Sequence, residues 1–517
     1  MRRRPLLLGS LAMAAIAGRA GAQPLPNTLQ APTGGDKIGP GYTRFTIASW
    51  GDAVLPDAPA FVPNALTVAQ ASTQFPYDAV IAALISPPPA QDGIPRLVLV
   101  TANPTAPARM LFPGGTDTPA IAGAEQGVTV INLQYLSGTW MSVTGGYQSR
   151  RLSDGTLCQI SGPLAGQIGS TVQGILAVYS GCATDWGSVL LGEGDAAPWL
   201  ARLAGLGLGY DNPKNASDYG WIVEFDPLNP LSLPTKHTAL GRLPRAGSLA
   251  TTSKDGRPVV FFTQAAQAGM LFRFIADAPA SLASGTLSVA ILNDTGISWV
   301  PLPNDPGSLI ALADTATTAG GEVFDTPAGL ALSADGSTLY MACSGNKNRT
   351  VPDLLNPRAN NDDGHVVQFT LPQADPTAAT FAGQLVLVAG NPASSTGTQY
   401  GPGSEAWLRK PATLAVSPAG DLWIGTNQQG DTSQTADGLF IMQTTGPATS
   451  ALAYAYLAPI GAAAGGVAFN AATKTAFGAV RHPGATPTAS FDNPATRWPT
   501  LRPDMPPQTT IIGLVTL

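Results

Sequence analysis

The chain has 517 residues, of which 44% are hydrophobic and only 12% charged. That charged share is about half the usual one, and a chain so rich in apolar surface is excluded from the intrinsically disordered class. The formal net charge is −6 and no basic run follows the N-terminus, which excludes the electrostatic footprint of a nucleic-acid binder.

In chain order, Arg2-Arg3-Arg4 precede the apolar stretch PLLLGSLAMAAIAG and then RAGA, ahead of Gln23. A charged head, a short apolar segment and a small-residue end predict an export signal over residues 1–22. Arg3-Arg4-Pro5-Leu6-Leu7 fits the twin-arginine pattern, so the expected location is periplasmic or extracellular in a bacterium. No later stretch is long and apolar enough to span a bilayer. Residues 23–45 read as a loosely ordered lead-in, and residues 46–517 as a single domain, expected to be a monomer.

Short helices are predicted within residues 65–86 and 195–208, the latter in DAAPWLARLAGLG, as insertions rather than scaffold. The scaffold signal is a recurring strand-turn-strand unit. Gly329–Ala342 (GLALSADGSTLYMA), Thr413–Gly425 (TLAVSPAGDLWIG) and Gly466–Gly478 (GVAFNAATKTAFG) are its clearest copies, with weaker ones at Gln91–Pro104 and Thr251–Gln264. Each is a β-hairpin by spacing and turn composition. Recurrence over several hundred residues predicts an all-β fold: a β-propeller of about six blades with long loop insertions and a few short helices. An array of sandwiches is the alternative. The three cysteines, Cys158, Cys182 and Cys343, are too few and too uneven for a disulfide framework.

There is no P-loop, no HExxH, no G-x-S-x-G elbow and no paired CxxC. The histidines, His237, His365 and His482, are far apart in sequence. Structural roles are expected for them, with His482, just after a predicted strand, as the functional candidate. Five glutamates occur in the whole chain, and Glu193 sits between Gly192 and Gly194 at the end of an apolar run.

Several blocks in one order resemble the PhoX-type secreted alkaline phosphatases. They are SGPLAG at Ser161–Gly166 followed by GCATDWGSVLLGEGD, then YGWIVEFDPLNPLSLPTKHTALGR at Tyr219–Arg242, NPRANNDDGHVVQF at Asn356–Phe369 and AVRHPG at Ala479–Gly484. The resemblance spans about residues 125–485. It implies a propeller, twin-arginine export, and hydrolysis of phosphate monoesters on a small phosphorylated molecule by a cluster of calcium and iron.

Departures from the family pattern fall on its metal ligands. The family's Cys-Glu-Glu is Gly192-Glu193-Gly194 here, and its Asn-His-Glu-Tyr is Asn132-Leu133-Gln134-Tyr135. Its Gly-Arg-Phe-Lys-His-Glu-Gly is Gly241-Arg242-Leu243-Pro244-Arg245-Ala246-Gly247, and its Gly-Asp-Asp-Glu falls near Gln264-Ala265-Ala266-Gln267. Its Arg-Pro-Glu becomes Thr326-Pro327-Ala328, and its Pro-Asp-Gly-Leu becomes Pro411-Ala412-Thr413-Leu414. Calcium takes six to eight oxygen ligands, so repeated loss of carboxylates points to a dismantled site. Glu193 is then either a surviving metal ligand, with Asp195 and Cys182 beside it, or a structural carboxylate in a glycine-flanked bend. Arginines of the matched loops survive, and Arg245, Arg349 and Arg358, with His482, are the candidate anion contacts. Two functions stay open: a phosphomonoester hydrolase using calcium and iron, or a catalytically degenerate propeller binding an anionic, glycan or protein ligand. A lactonase-like hydrolase with one calcium on Glu193 is a third reading.

Overall fold

A computed structural model describes residues 30–207, 216–433 and 435–517; the predicted export signal lies outside them. The fold is the expected β-propeller, with six blades of antiparallel strands. Blade 1 runs outward through Val80–Ile85, Arg96–Asn103, Gly127–Leu136 and Thr139–Val143. Blade 2 uses Val178–Ala183, Val189–Glu193, Ile222–Phe225 and Thr235–His237, extended by Leu157–Ser161 and Thr171–Gln173. Blade 3 is Arg245–Thr252, Pro258–Gln264, Leu271–Ala276 and Gly285–Asn293, and blade 4 is Pro327–Leu332, Thr338–Cys343, His365–Thr370 and Thr380–Val388. One strand, Gly296–Pro301, pairs with the outer strands of both and joins them into a continuous sheet. Blade 5 is Pro411–Val416, Leu422–Thr426, Gly438–Met442 and Leu452–Leu457.

Blade 6 closes the ring. Its three inner strands, Ala463–Asn470, Thr475–Arg481 and Thr510–Thr516, come from the C-terminal part, and its outer strand, Tyr42–Ser49, from the N-terminal part. The described part of the expected lead-in therefore contributes strands, since Lys37–Ile38 also pairs with the outer strand of blade 5. The six innermost strands contact one another in succession, and the last contacts the first.

The sequence of each blade follows from its place. Second strands such as Arg96–Asn103 (RLVLVTAN) and Pro258–Gln264 (PVVFFTQ) are buried along nearly their whole length, because neighbouring blades cover both faces; such strands read as continuous apolar runs. The innermost strands are instead rich in small residues, since six of them converge on one axis. Gly247 shows the constraint: a Cβ there would lie 2.1 Å from the Ala328 carbonyl oxygen of the next innermost strand. The predicted helices are present as short insertions, Val68–Thr73 and Ala197–Leu203.

Candidate functional site

The six innermost strands enclose an axial cavity of about 70 Å³. Its lining is Gly181, Gly247, Gly329 and Gly466, aliphatic groups such as Val80, Leu330 and Val467, and the residues Tyr179, Ser180, Ser248 and Thr413. Ser180 and Ser248, on neighbouring innermost strands, hydrogen-bond to each other at 3.0 Å. No carboxylate is among the described lining residues.

Carboxylates gather one layer away, at the end of the ring where the innermost strands begin and the second strands end; this end is the mouth. Each of four buried acids there has its own cation. Asp78, just before the innermost strand of blade 1, receives two bonds of 2.8 Å from Arg481, which ends the second strand of blade 6. Glu193 ends the second strand of blade 2, and its Oε1 accepts from Lys236 Nζ at 2.9 Å, both side chains being 0% exposed. Asp325 holds Arg349, and Asp363 holds Arg409. Arg409 reaches further, to Asp362 at 2.9 Å and Asp431 at 3.2 Å. Burial alone would raise the Asp78 carboxyl, but Arg481 outweighs it and keeps the group below its ordinary value. Asp325 comes out the other way: burial raises it despite Arg349 and Asn361.

Glu193 accepts from the backbone N–H groups of Leu176, Gly220 and Trp221 at 3.0–3.1 Å in addition to Lys236. All of its oxygen capacity is thus turned toward its own chain. Asp195 is exposed and accepts from the Ala197 N–H at 3.0 Å, at the start of the short helix Ala197–Leu203. Cys182 lies opposite Leu190, whereas Glu193 lies opposite Val178, so the two are apart along the same strand pair. Burial pushes the Cys182 thiol up to about 12, and the protonated thiol is a poor metal ligand. Among the described residues no three His, Cys, Asp or Glu side chains are grouped to hold a metal ion.

The arginines are similarly committed. Arg245 is 0% exposed, packs on the Phe262 ring, and donates to the carbonyls of Gly220, Leu240, Gly241 and Leu243. Arg349 also bonds Asp353 and the Val323 carbonyl. Arg358 bonds the side chain of Asn361 and the carbonyls of Ala389 and Thr396. His482 donates its backbone N–H to Thr509 Oγ1 at 2.8 Å; its Nδ1 is 3.3 Å from the Gly461 carbonyl, and burial holds its imidazole below the ordinary value. Sequence reasoning did not single out Lys236 or Arg409 as partners. Lys236 stands beside His237 within the matched block, but nothing local ties it to Glu193, 43 residues earlier.

The fold and the matched blocks can be set beside known proteins. The family model "Alkaline phosphatase PhoX" matches residues 25–484. The chain belongs to the PhoX family. Among solved structures it is similar to PhoX of Pseudomonas fluorescens in complex with vanadate, a transition-state analogue. That likeness has a TM-score of 0.84 at 24% identity and covers 94% of this chain and 97% of that one. It confirms the propeller. Much weaker likenesses include a gluconolactonase of Xanthomonas campestris, with 12% identity over 85% of this chain and 97% of that one and a TM-score of 0.30. A Dyadobacter fermentans protein of unknown function is 10% identical over 92% of this chain and all (100%) of that one, with a TM-score of 0.40. Neither bears on function. No curated protein matches the chain.

The residues at the mouth do not fit a calcium–iron cluster. Such ions need several oxygens free to converge on one point. Asp78, Glu193, Asp325 and Asp363 each face a separate guanidinium or ammonium. A lysine or arginine head in that position holds the negative charge that a metal would otherwise balance.

Proposed function

We propose that this PhoX-family propeller is a binding protein for a small phosphorylated molecule, and that it has given up metal-dependent phosphoester hydrolysis. The observation that carries this reading is the pairing of four buried mouth carboxylates, Asp78, Glu193, Asp325 and Asp363, with internal cations. In this reading Arg245, Arg349 and Arg358 act as scaffolding for the loops around the mouth. Ligand contact falls to His482, to Tyr179, and to Lys347 and Lys410. Lys347 is exposed, and Lys410 is half-buried and bonds the exposed Asp362 at 2.7 Å.

Membership of an alkaline phosphatase family favours a second reading, hydrolysis of phosphate monoesters with calcium and iron, for which Glu193, Asp195 and Cys182 would be the ligands. One experiment separates the two. The purified protein is analysed for calcium and iron, and p-nitrophenyl phosphate is offered at alkaline pH with and without added Ca²⁺ and Fe³⁺. Metal-free protein that stays inactive but binds a phosphorylated ligand in calorimetry is the expected result. Turnover restored by metal would overturn it.

We also propose export to the periplasm or beyond, as a monomer. Arg3-Arg4-Pro5-Leu6-Leu7 supports export, and among the described residues no helix is long and apolar enough to cross a membrane. Replacing Arg3 and Arg4 by Lys is expected to retain the protein in the cytoplasm, and light scattering of the mature chain reports its mass.

A further inference from the structure

A hydrogen-bonded serine–histidine–glutamate chain lies on blade 2, away from the axis. Leu157–Ser161 and Thr235–His237 run parallel, with Ser161 opposite His237. Ser161 Oγ is 2.7 Å from His237 Nδ1, and His237 Nε2 is 2.7 Å from Glu224 Oε2. The acceptor-only carboxylate fixes the tautomer. Nε2 carries the proton and gives it to Glu224, leaving the Nδ1 lone pair to accept from the Ser161 hydroxyl. Glu224 is itself held, since its Oε1 accepts from Trp186 Nε1 at 2.8 Å and from Ser188 Oγ. His237 Nε2–H, Trp186 and Ser188 together keep its carboxyl below the ordinary value although burial opposes them.

The serine stands at a bend. Gly162 has φ +90°, and a Cβ there would lie 2.7 Å from Thr238 Oγ1, so only glycine fits. Thr238 Oγ1 donates to the Ser161 carbonyl at 2.7 Å and accepts from the Leu164 N–H at 3.2 Å, which fixes the bend. Ser161 is half-buried and opens the solvent-facing turn to Gly169, in which Pro163, Ala165, Gly166 and Gln167 are exposed. A nucleophile bonded to a base, and the base oriented by a third group, is the arrangement that activates a serine. His237, which the sequence marks only as a structural histidine, is its centre.

We propose that Ser161, His237 and Glu224 form a second, metal-independent site that cleaves small carboxylic esters. As Ser161 Oγ bonds the acyl carbon, its proton passes to His237 Nδ1, and the C–O bond to the leaving alkoxide breaks as that proton is handed on. Water then attacks the acyl carbon, gives its proton through Nδ1 to Oγ, and the acid leaves.

The test uses the full mature chain and a fluorophosphonate probe, whose phosphorus bonds Oγ as fluoride departs. Peptide mapping is expected to place the adduct on Ser161. p-Nitrophenyl acetate hydrolysis is expected to fall about 100-fold or more in Ser161→Ala and in His237→Gln, the range a general base contributes. Melting curves of both variants accompany the rates. A folded wild-type chain that takes no label at Ser161, under conditions that label a control serine esterase, overturns the proposal without reference to any variant.

Discussion

Replacing Lys236 by methionine would test whether Glu193 is a structural carboxylate. The two charges are 2.9 Å apart with both side chains 0% exposed. Coulomb attraction at that separation is about 6 kcal/mol at an effective dielectric of about 20, most of which offsets the desolvation of the two groups. Methionine keeps the aliphatic stem and leaves an unpaired carboxylate in the interior; breaking one side of a buried pair costs about 3–5 kcal/mol. Three backbone N–H donors remain on Glu193, which favours the lower half of that range. Lys236 also gives up the Asp218 carbonyl at 3.2 Å and the Tyr219 ring, whose centroid is 4.2 Å from Nζ. Urea unfolding of wild type, Lys236→Met, Glu193→Gln and the double variant gives the coupling. The double variant is expected to be at least about 2 kcal/mol more stable than the sum of the single losses implies. A loss below about 1 kcal/mol for Lys236→Met, or a rise in wild-type stability on adding Ca²⁺ that is absent in Glu193→Gln, would refute the reasoning, since the latter would mean that Glu193 binds metal.

The Asp78–Arg481 pair gives a pH signature. The folded Asp78 carboxyl lies below its unfolded value, so its contribution is present above about pH 4 and is lost as the pH falls through the folded value. Arg481→Met should be destabilised at pH 7 and flatten the acid limb of the stability curve, read by urea unfolding between pH 3 and 7. Glu125 has the opposite sign: burial pushes it to about 7, against an ordinary value of 4.5. Folding therefore loses up to about 3 kcal/mol as pH rises between those values and no more above them. Glu125→Gln should gain on wild type over that window, measured as the difference in unfolding free energy at pH 5 and pH 8. Gly247→Ala forces a methyl against the Ala328 carbonyl at 2.1 Å and is expected to cost about 1–3 kcal/mol; an unchanged melting temperature would show that the innermost strands are less tightly gathered than described.

Much of the scaffold was legible because a blade is a local object. The hairpins at Gly329–Ala342, Thr413–Gly425 and Gly466–Gly478 are the two innermost strands of blades 4, 5 and 6, and their turns are set by residues a few positions apart. Tyr42–Ser49 was not legible as the outer strand of blade 6, because its partner Thr510–Thr516 lies at the other end of the sequence. The site was legible in a different measure. The resemblance to the family pattern suggests which carboxylates are missing, but it does not show what the acids that are present face. Glu193 between two glycines reads equally as a ligand or as a bend residue until Lys236 is placed beside it. Arg245 shows the same limit from the cationic side, since a guanidinium wrapped in four backbone carbonyls has the same letter as one waiting for an anion.

The shared sixth blade has a consequence for how the molecule is made. Tyr42–Ser49 leaves the ribosome early and has no ladder to join until Thr510–Thr516 has emerged. Blade 6 is therefore completed last, by segments from opposite parts of the sequence. A chain released one strand short would lack the strand that joins Tyr42–Ser49 to Thr475–Arg481, whereas new termini cut between two other blades, with the old ones linked, would let that blade form early.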